Sequence, residues 1–112
     1  MVSLIERFLV AILQKMSIKG VLTPVFVEQG VIDFLILRLE EHIKFGGEHI
    51  FFLDFSTALL ANIFHCRECI QWLLVNKKEA VTIANRLLGL LKQPKIPSSV
   101  LMHILMSLGY LN

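Results

Sequence analysis

Cysteine, proline and tryptophan are scarce in this chain: it has two, three and one of them in 112 residues. Cys66 and Cys69 are too few and too close together for a disulfide framework, which agrees with a reducing compartment. Charge of one sign is nowhere concentrated. The net charge is +2, and the eleven basic residues are spread along the chain with Lys77-Lys78 as their largest cluster, which speaks against a nucleic-acid footprint. No apolar run reaches the roughly 18–20 residues that a membrane-spanning helix needs. Ile50 to Phe64 is broken by Asp54, Ser56, Thr57 and Asn62, and Leu4 to Leu13 by Glu6 and Arg7. No lysine or arginine precedes the first apolar segment and no small-residue cleavage site follows it, so a secretory signal is not expected and a cytoplasmic location is. A glycine-rich phosphate loop, a serine–histidine–acid motif and paired carboxylates in a polar setting are all missing; Glu40-Glu41 falls at a helix end among solvated residues. Neither catalysis nor a cofactor is expected.

What the chain does have is apolar surface. Hydrophobic residues make up 55% of it and the mean hydropathy is +0.70, so each helix must be covered by its neighbours or by a partner. The length suits one domain, 1–112, because two would each lack a sufficient core.

The periodicity is helical throughout. Leu4, Ile5, Phe8, Leu9, Ile12, Leu13 and Met16 recur at three- and four-residue steps, predicting a helix over 2–16 that ends before Gly20. Thr23-Pro24 reads as an N-cap followed by proline at the first helical position, opening a short helix that stops at Gly30. A helix from Val31 to about Glu41 is expected to bury Ile32, Leu35, Ile36 and Leu39 and to leave Asp33, Arg38, Glu40 and Glu41 wet. Ile50 to Phe64 is apolar on nearly all sides, the pattern of a helix between two layers. A short helix through Trp72 to Asn76, a longer one over Glu79 to Leu91, and a last one from near Pro97 to about Tyr110 follow, the last with Leu101, Ile104, Leu105 and Leu108 turned inward. No strand is expected.

The order of long, short and medium helices repeats. Similar segments around Lys15, Asn62 and Ser107 lie 47 and then 45 residues apart, a period that fits armadillo or HEAT repeats. In Glu28-Gln29-Gly30-Val31-Ile32-Asp33 a glycine stands where a short first helix must bend sharply into a second. Thr57-Ala58-Leu59-Leu60-Ala61-Asn62-Ile63 has the look of a third helix with an asparagine toward a groove. On these segments the chain resembles the armadillo-repeat family. Adding Leu13-Gln14-Lys15-Met16-Ser17, it is similar to the LisH-domain armadillo proteins associated with cilia and basal bodies, although no LisH segment is present. The resemblance implies an all-α, right-handed armadillo/HEAT-like solenoid of about two and a third repeats. Its parts would be a third helix at 2–16, a full repeat at 18–64 and a diverged repeat at 66–111. It also implies a non-catalytic protein-binding scaffold in the cytoplasm or at the cilium, basal body or cytoskeleton.

One departure bears on how such a scaffold would bind. Peptide-binding armadillo proteins carry an asparagine ladder, with a tryptophan one turn earlier, along their groove. The corresponding positions here are Lys15, Asn62 and Ser107, preceded four residues earlier by Ala11, Ala58 and His103. A groove or edge contact with a folded protein is therefore expected in place of extended-peptide capture, with Lys15, Asn62, His103 and Ser107 as candidate contacts. Asn62 is either a groove ligand or a core amide. Trp72 reads as a packing residue between repeats, with an exposed anchor as the alternative. Asp54 reads as a carboxylate at a helix start, favoured there by free amides, with a buried functional carboxylate as the alternative. The segment His65-Cys66-Arg67-Glu68-Cys69 has the spacing of half a zinc site, but no second cysteine pair completes it, and ordinary helix-junction cysteines are expected.

Terminal repeats normally carry polar caps, which Leu4, Phe8, Leu101 and Leu108 do not supply. The chain is therefore expected to be part of a longer solenoid or to self-associate, for example as a homodimer through its first or last helix. The rival reading is a small helical bundle serving as an oligomerisation or membrane-surface module, with Val2 to Met16 as its contact helix.

Overall fold

The computed structural model describes residues 4–18, 22–43, 50–93 and 96–110. Among them the chain forms helices α1 (Leu4–Ser17), α2 (Thr23–Glu28), α3 (Val31–His42), α4 (Ile50–His65), α5 (Arg67–Val75), α6 (Lys77–Leu90) and α7 (Ser98–Tyr110), with no strand. The all-α class is thus observed. No helix among the described residues is long and apolar enough to cross a membrane.

The junctions follow local chemistry. Leu22, with φ −93° and ψ −1°, is already helical in its backbone, and its carbonyl accepts from Phe26 N at 3.1 Å. As a result α2 begins at Thr23 itself, and Leu22, not Thr23, stands at the cap position. Pro24 falls in the first turn, where no amide is missed. Gly30 takes φ +75°, a left-handed conformation that lets α3 leave α2 at a sharp angle. At the α5–α6 junction, the Asn76 side-chain amide donates to the Trp72 carbonyl at 2.9 Å, while its own carbonyl accepts from Ala80 N at 3.0 Å. That asparagine ends one helix and starts the next, so α6 opens at Lys77, two residues before the expected Glu79.

Helix α4 lies at the centre, with α1 on one flank and α7 on the other. Nine of its sixteen residues are buried, Phe52, Leu53, Leu59, Leu60, Ile63 and Phe64 among them, as expected for a helix covered on more than one side. Each such side chain contributes about 1.5–3 kcal/mol relative to exposure. Behind this row α2 packs on α5, and α3 packs on both α4 and α6. Ile32, Leu35, Ile36 and Leu39 all point into the core. Of the residues expected wet on α3, Arg38 is the exception: half-buried, it donates from Nε to Glu6 on α1 at 2.9 Å and pairs with Glu41 at 3.2 Å. Arg86 on α6 similarly reaches Glu40 on α3 at 2.6 Å and lies 3.7 Å from Asp33.

The end helices depart from the expected burial. In α7 the inward positions are Val100, Ile104 and Ser107, with Leu108 half-buried; Leu101 and Leu105 are exposed, correcting their expected inward placement. The reason is rotational: α7 is apolar around most of its circumference, and only one face meets α4. In α1 the inward residues are Val10 and Ser17 with Leu13 half-buried, while Leu4, Ile5, Phe8, Leu9, Ile12 and Met16 stay exposed.

Candidate functional site: a polar row across three helices

The four residues expected to contact a partner fall on α1, α4 and α7, the three helices that lie side by side. Lys15 is exposed on α1. Asn62 is half-buried on α4 and donates through Nδ2 to the Ser17 hydroxyl oxygen of α1 at 2.9 Å; Ser17 in turn donates to the Gln14 carbonyl at 2.6 Å. His103 on α7 faces α4, its Nδ1 lying 3.0 Å from the Thr57 hydroxyl oxygen. Ser107 is fully buried and spends its hydroxyl proton on the His103 carbonyl at 2.9 Å.

The Thr57 hydroxyl is 2.8 Å from the Leu53 carbonyl, so its single proton goes there and His103 Nδ1 must carry the proton of the contact between α4 and α7. Asp54 Oδ1 lies 3.6 Å from the same nitrogen, buried and without a hydrogen-bond partner of its own. Asp54 is therefore not placed by the amides of the first turn, which holds no acidic residue; it faces the ring of the neighbouring helix. Hydroxyl and carboxylate both approach Nδ1, whereas a nucleophile–base–acid relay needs them on opposite ring nitrogens. This cluster fixes the ring between two helices.

Three contacts between packed helices share a spacing. Ser17–Asn62 joins α1 to α4 across 45 residues, Thr57–His103 joins α4 to α7 across 46, and Glu40–Arg86 joins α3 to α6 across 46. Of these residues Ser17, Thr57, Glu40 and Arg86 were not among the expected site positions. Their separation, close to the 47 and 45 residues between Lys15, Asn62 and Ser107, is the signal that could have found them.

Clefts open elsewhere. One of about 200 Å³ lies between the Gly30 turn and the α5–α6 junction, lined by Val27, Asp33, Trp72 and Thr82. Trp72 is half-buried there against the core. A second, of about 310 Å³, is mostly apolar and lies between α5, α6 and Tyr110.

At the α4–α5 junction Cys66 is half-buried and Cys69 fully buried, neither in a disulfide. The Cys66 thiol donates to Glu68 at 2.7 Å, and that bond lowers the carboxyl below its ordinary value. Burial, helped by the nearby Cys66, pushes the Cys69 thiol from 9.0 up to about 12. Metal ligation requires thiolates, and no group of three histidine, cysteine, aspartate or glutamate side chains converges among the described residues. Alkylation of the native protein at pH 8 is thus expected to modify Cys66 and spare Cys69 until the chain is unfolded, as peptide mass mapping would read. Equal labelling of both in the native state would mean that α5 is not packed as described. Because the unfolded thiol ionises near 9.0 and the folded one only near 12, Cys69 favours folding below that window and loses its contribution as pH rises through it.

No protein-family model, curated protein or solved structure matches this chain.

Proposed function

We propose that the chain is a non-catalytic protein-interaction scaffold of armadillo type, a right-handed solenoid of about two and a third repeats. The supporting observation is that like packs on like: α2 on α5, α3 on α6, and α1 on α4 on α7, with lateral side-chain pairs 45, 46 and 46 residues apart. A helical triplet that cannot bury its own apolar faces gains stability by stacking on its copies at a constant period, and the period here falls in the armadillo range. In this reading, which rests on the resemblance to LisH-domain armadillo proteins, such a scaffold would act in the cytoplasm, at the cilium, basal body or cytoskeleton.

The row of α1, α4 and α7 is the partner face in this reading. Its amide and hydroxyl groups are largely spent on one another, so it offers little to an extended peptide backbone and presents a firm surface to a folded protein. Crosslinking mass spectrometry in an extract of ciliated cells, comparing the chain with an Ala11→Glu/Ala58→Glu variant that keeps the Lys15 amine, tests this. Crosslinks centred on Lys15 and its surroundings that disappear in the variant support the scaffold reading. Crosslinks that avoid the row, or are indifferent to the substitutions, count against it.

A second reading, an oligomerisation or membrane-surface module, is favoured by one observation: the exposed apolar face of α1 is accompanied by exposed Arg7 and Lys15. Co-sedimentation with vesicles containing anionic lipid, abolished by Phe8→Glu, would support it; absence from the lipid pellet would remove the membrane form.

A further inference from the structure

We propose that copies of this chain stack head to tail, α7 of one molecule packing on the exposed face of α1 of the next. This rests on the repeat-stack reading and names one partner for it: the chain itself. Helix α1 is apolar on two faces and covered on one. Val10, Leu13 and Ser17 face inward, while Leu4, Ile5, Phe8, Leu9, Ile12 and Met16 are between 43% and 79% exposed. Helix α7 repeats the situation at the other flank, with Val100, Ile104 and Ser107 inward and Leu101, Met102, Leu105 and Met106 outward, 37% to 53% exposed. Helix α4 has the same two-sided pattern and both sides are occupied, one by α1 and the other by α7. Setting α7 of one copy against α1 of another therefore continues a row whose side-by-side contact the chain already makes twice.

Charge selects this pairing over two α1 faces meeting. The exposed charges of α1 are Arg7 and Lys15, and its single carboxylate, Glu6, is held by Arg38, so α1 against α1 brings like charges together. Helix α7 has no aspartate, glutamate, lysine or arginine in its thirteen residues and brings no repulsion. The exposed α1 side chains offer on the order of 600 Å², against roughly 800 Å² per partner in a standard interface, so the association is expected to depend on concentration. Because the two faces differ, the contact is not self-limiting at two copies.

The test is the mass of the whole chain by light scattering and sedimentation over a concentration series, alone and with Phe8→Glu or Leu105→Glu. Both positions are more than half exposed, and far-ultraviolet circular dichroism verifies that each variant keeps its helices. The expected result is a wild-type mass that climbs from 12.8 kDa past that of a dimer, with both variants monomeric on their own. Mixed in equal amounts, the variants should form a one-to-one dimer, since Phe8→Glu retains an intact α7 face and Leu105→Glu an intact α1 face. A wild type that stays monomeric, or that stops at a dimer while the mixed variants do not pair, overturns the stacking. In each of those cases the scaffold reading stands or falls separately, on whether crosslinks to other proteins gather around Lys15.

Discussion

Phe52→Ala is expected to cost about 3–5 kcal/mol of folding stability, whereas Phe51→Ala, one residue away on the same helix, should change it by less than about 0.5 kcal/mol. The two phenylalanines are chemically identical and differ in where α4 points them. Phe52 is 1% exposed, with its ring against the edge of His42 at a centroid distance of 5.9 Å, and Phe51 is 73% exposed. Truncating the buried ring leaves a cavity in a layer that touches neighbouring helices on several sides, and a close-packed interior relaxes only partly into it. Against a total stability of about 5–15 kcal/mol, the loss is large enough to unfold a marginal chain near body temperature. Urea and thermal denaturation of the two variants measure the difference. Similar costs for both would mean that α4 is rotated from the orientation described.

Gly30→Val is expected to destabilise by about 1–2 kcal/mol, and Gly30→Asn to recover most of that. A β-carbon added at Gly30 would meet nothing within 4 Å beyond its chain neighbours, so crowding against other parts of the fold does not set the cost. The cost is in the backbone: at φ +75° and ψ 24°, a branched β-carbon crowds the adjacent peptide, while asparagine tolerates the left-handed region. The same denaturation experiments decide it. Equal effects of valine and asparagine would show that the turn between α2 and α3 is not left-handed.

Much of this architecture is legible in the residues because its determinants are local. The 3.6-residue recurrence in Leu4 to Met16, the punctuation by Pro24 and Gly30, and the unbroken apolarity of Ile50 to Phe64 each need only a short window, and the helices stand where those windows put them. What was not legible depends on other parts of the chain. In α7 both faces are apolar, so nothing local distinguishes Val100 and Ile104, which meet α4, from Leu101 and Leu105, which do not. Asp54 has the spacing of a helix-start carboxylate, but its environment is set by His103, 49 positions on. Asn62 was ambiguous between groove and core until its partner, Ser17 on another helix, was placed. Lys15, Asn62, His103 and Ser107 lie on helices that pack side by side, but the hydrogen bonds between those helices emerge only when α1, α4 and α7 are laid together. The pairing Glu40–Arg86 was missed for the same reason: two charges on separate wet faces carry no mark of each other except their 46-residue separation.

In the proposed solenoid equivalent helices stack in register, with α4 between α1 and α7. Nuclear Overhauser spectroscopy on the isotope-labelled chain, at a concentration where it is monomeric, addresses it most directly. Cross-peaks are expected from the Asn62 side-chain amide to the Ser17 β-protons and from the His103 ring to the Thr57 methyl, with none between α1 and α7. Cross-peaks joining α1 directly to α7, or the absence of both lateral pairs, would contradict it.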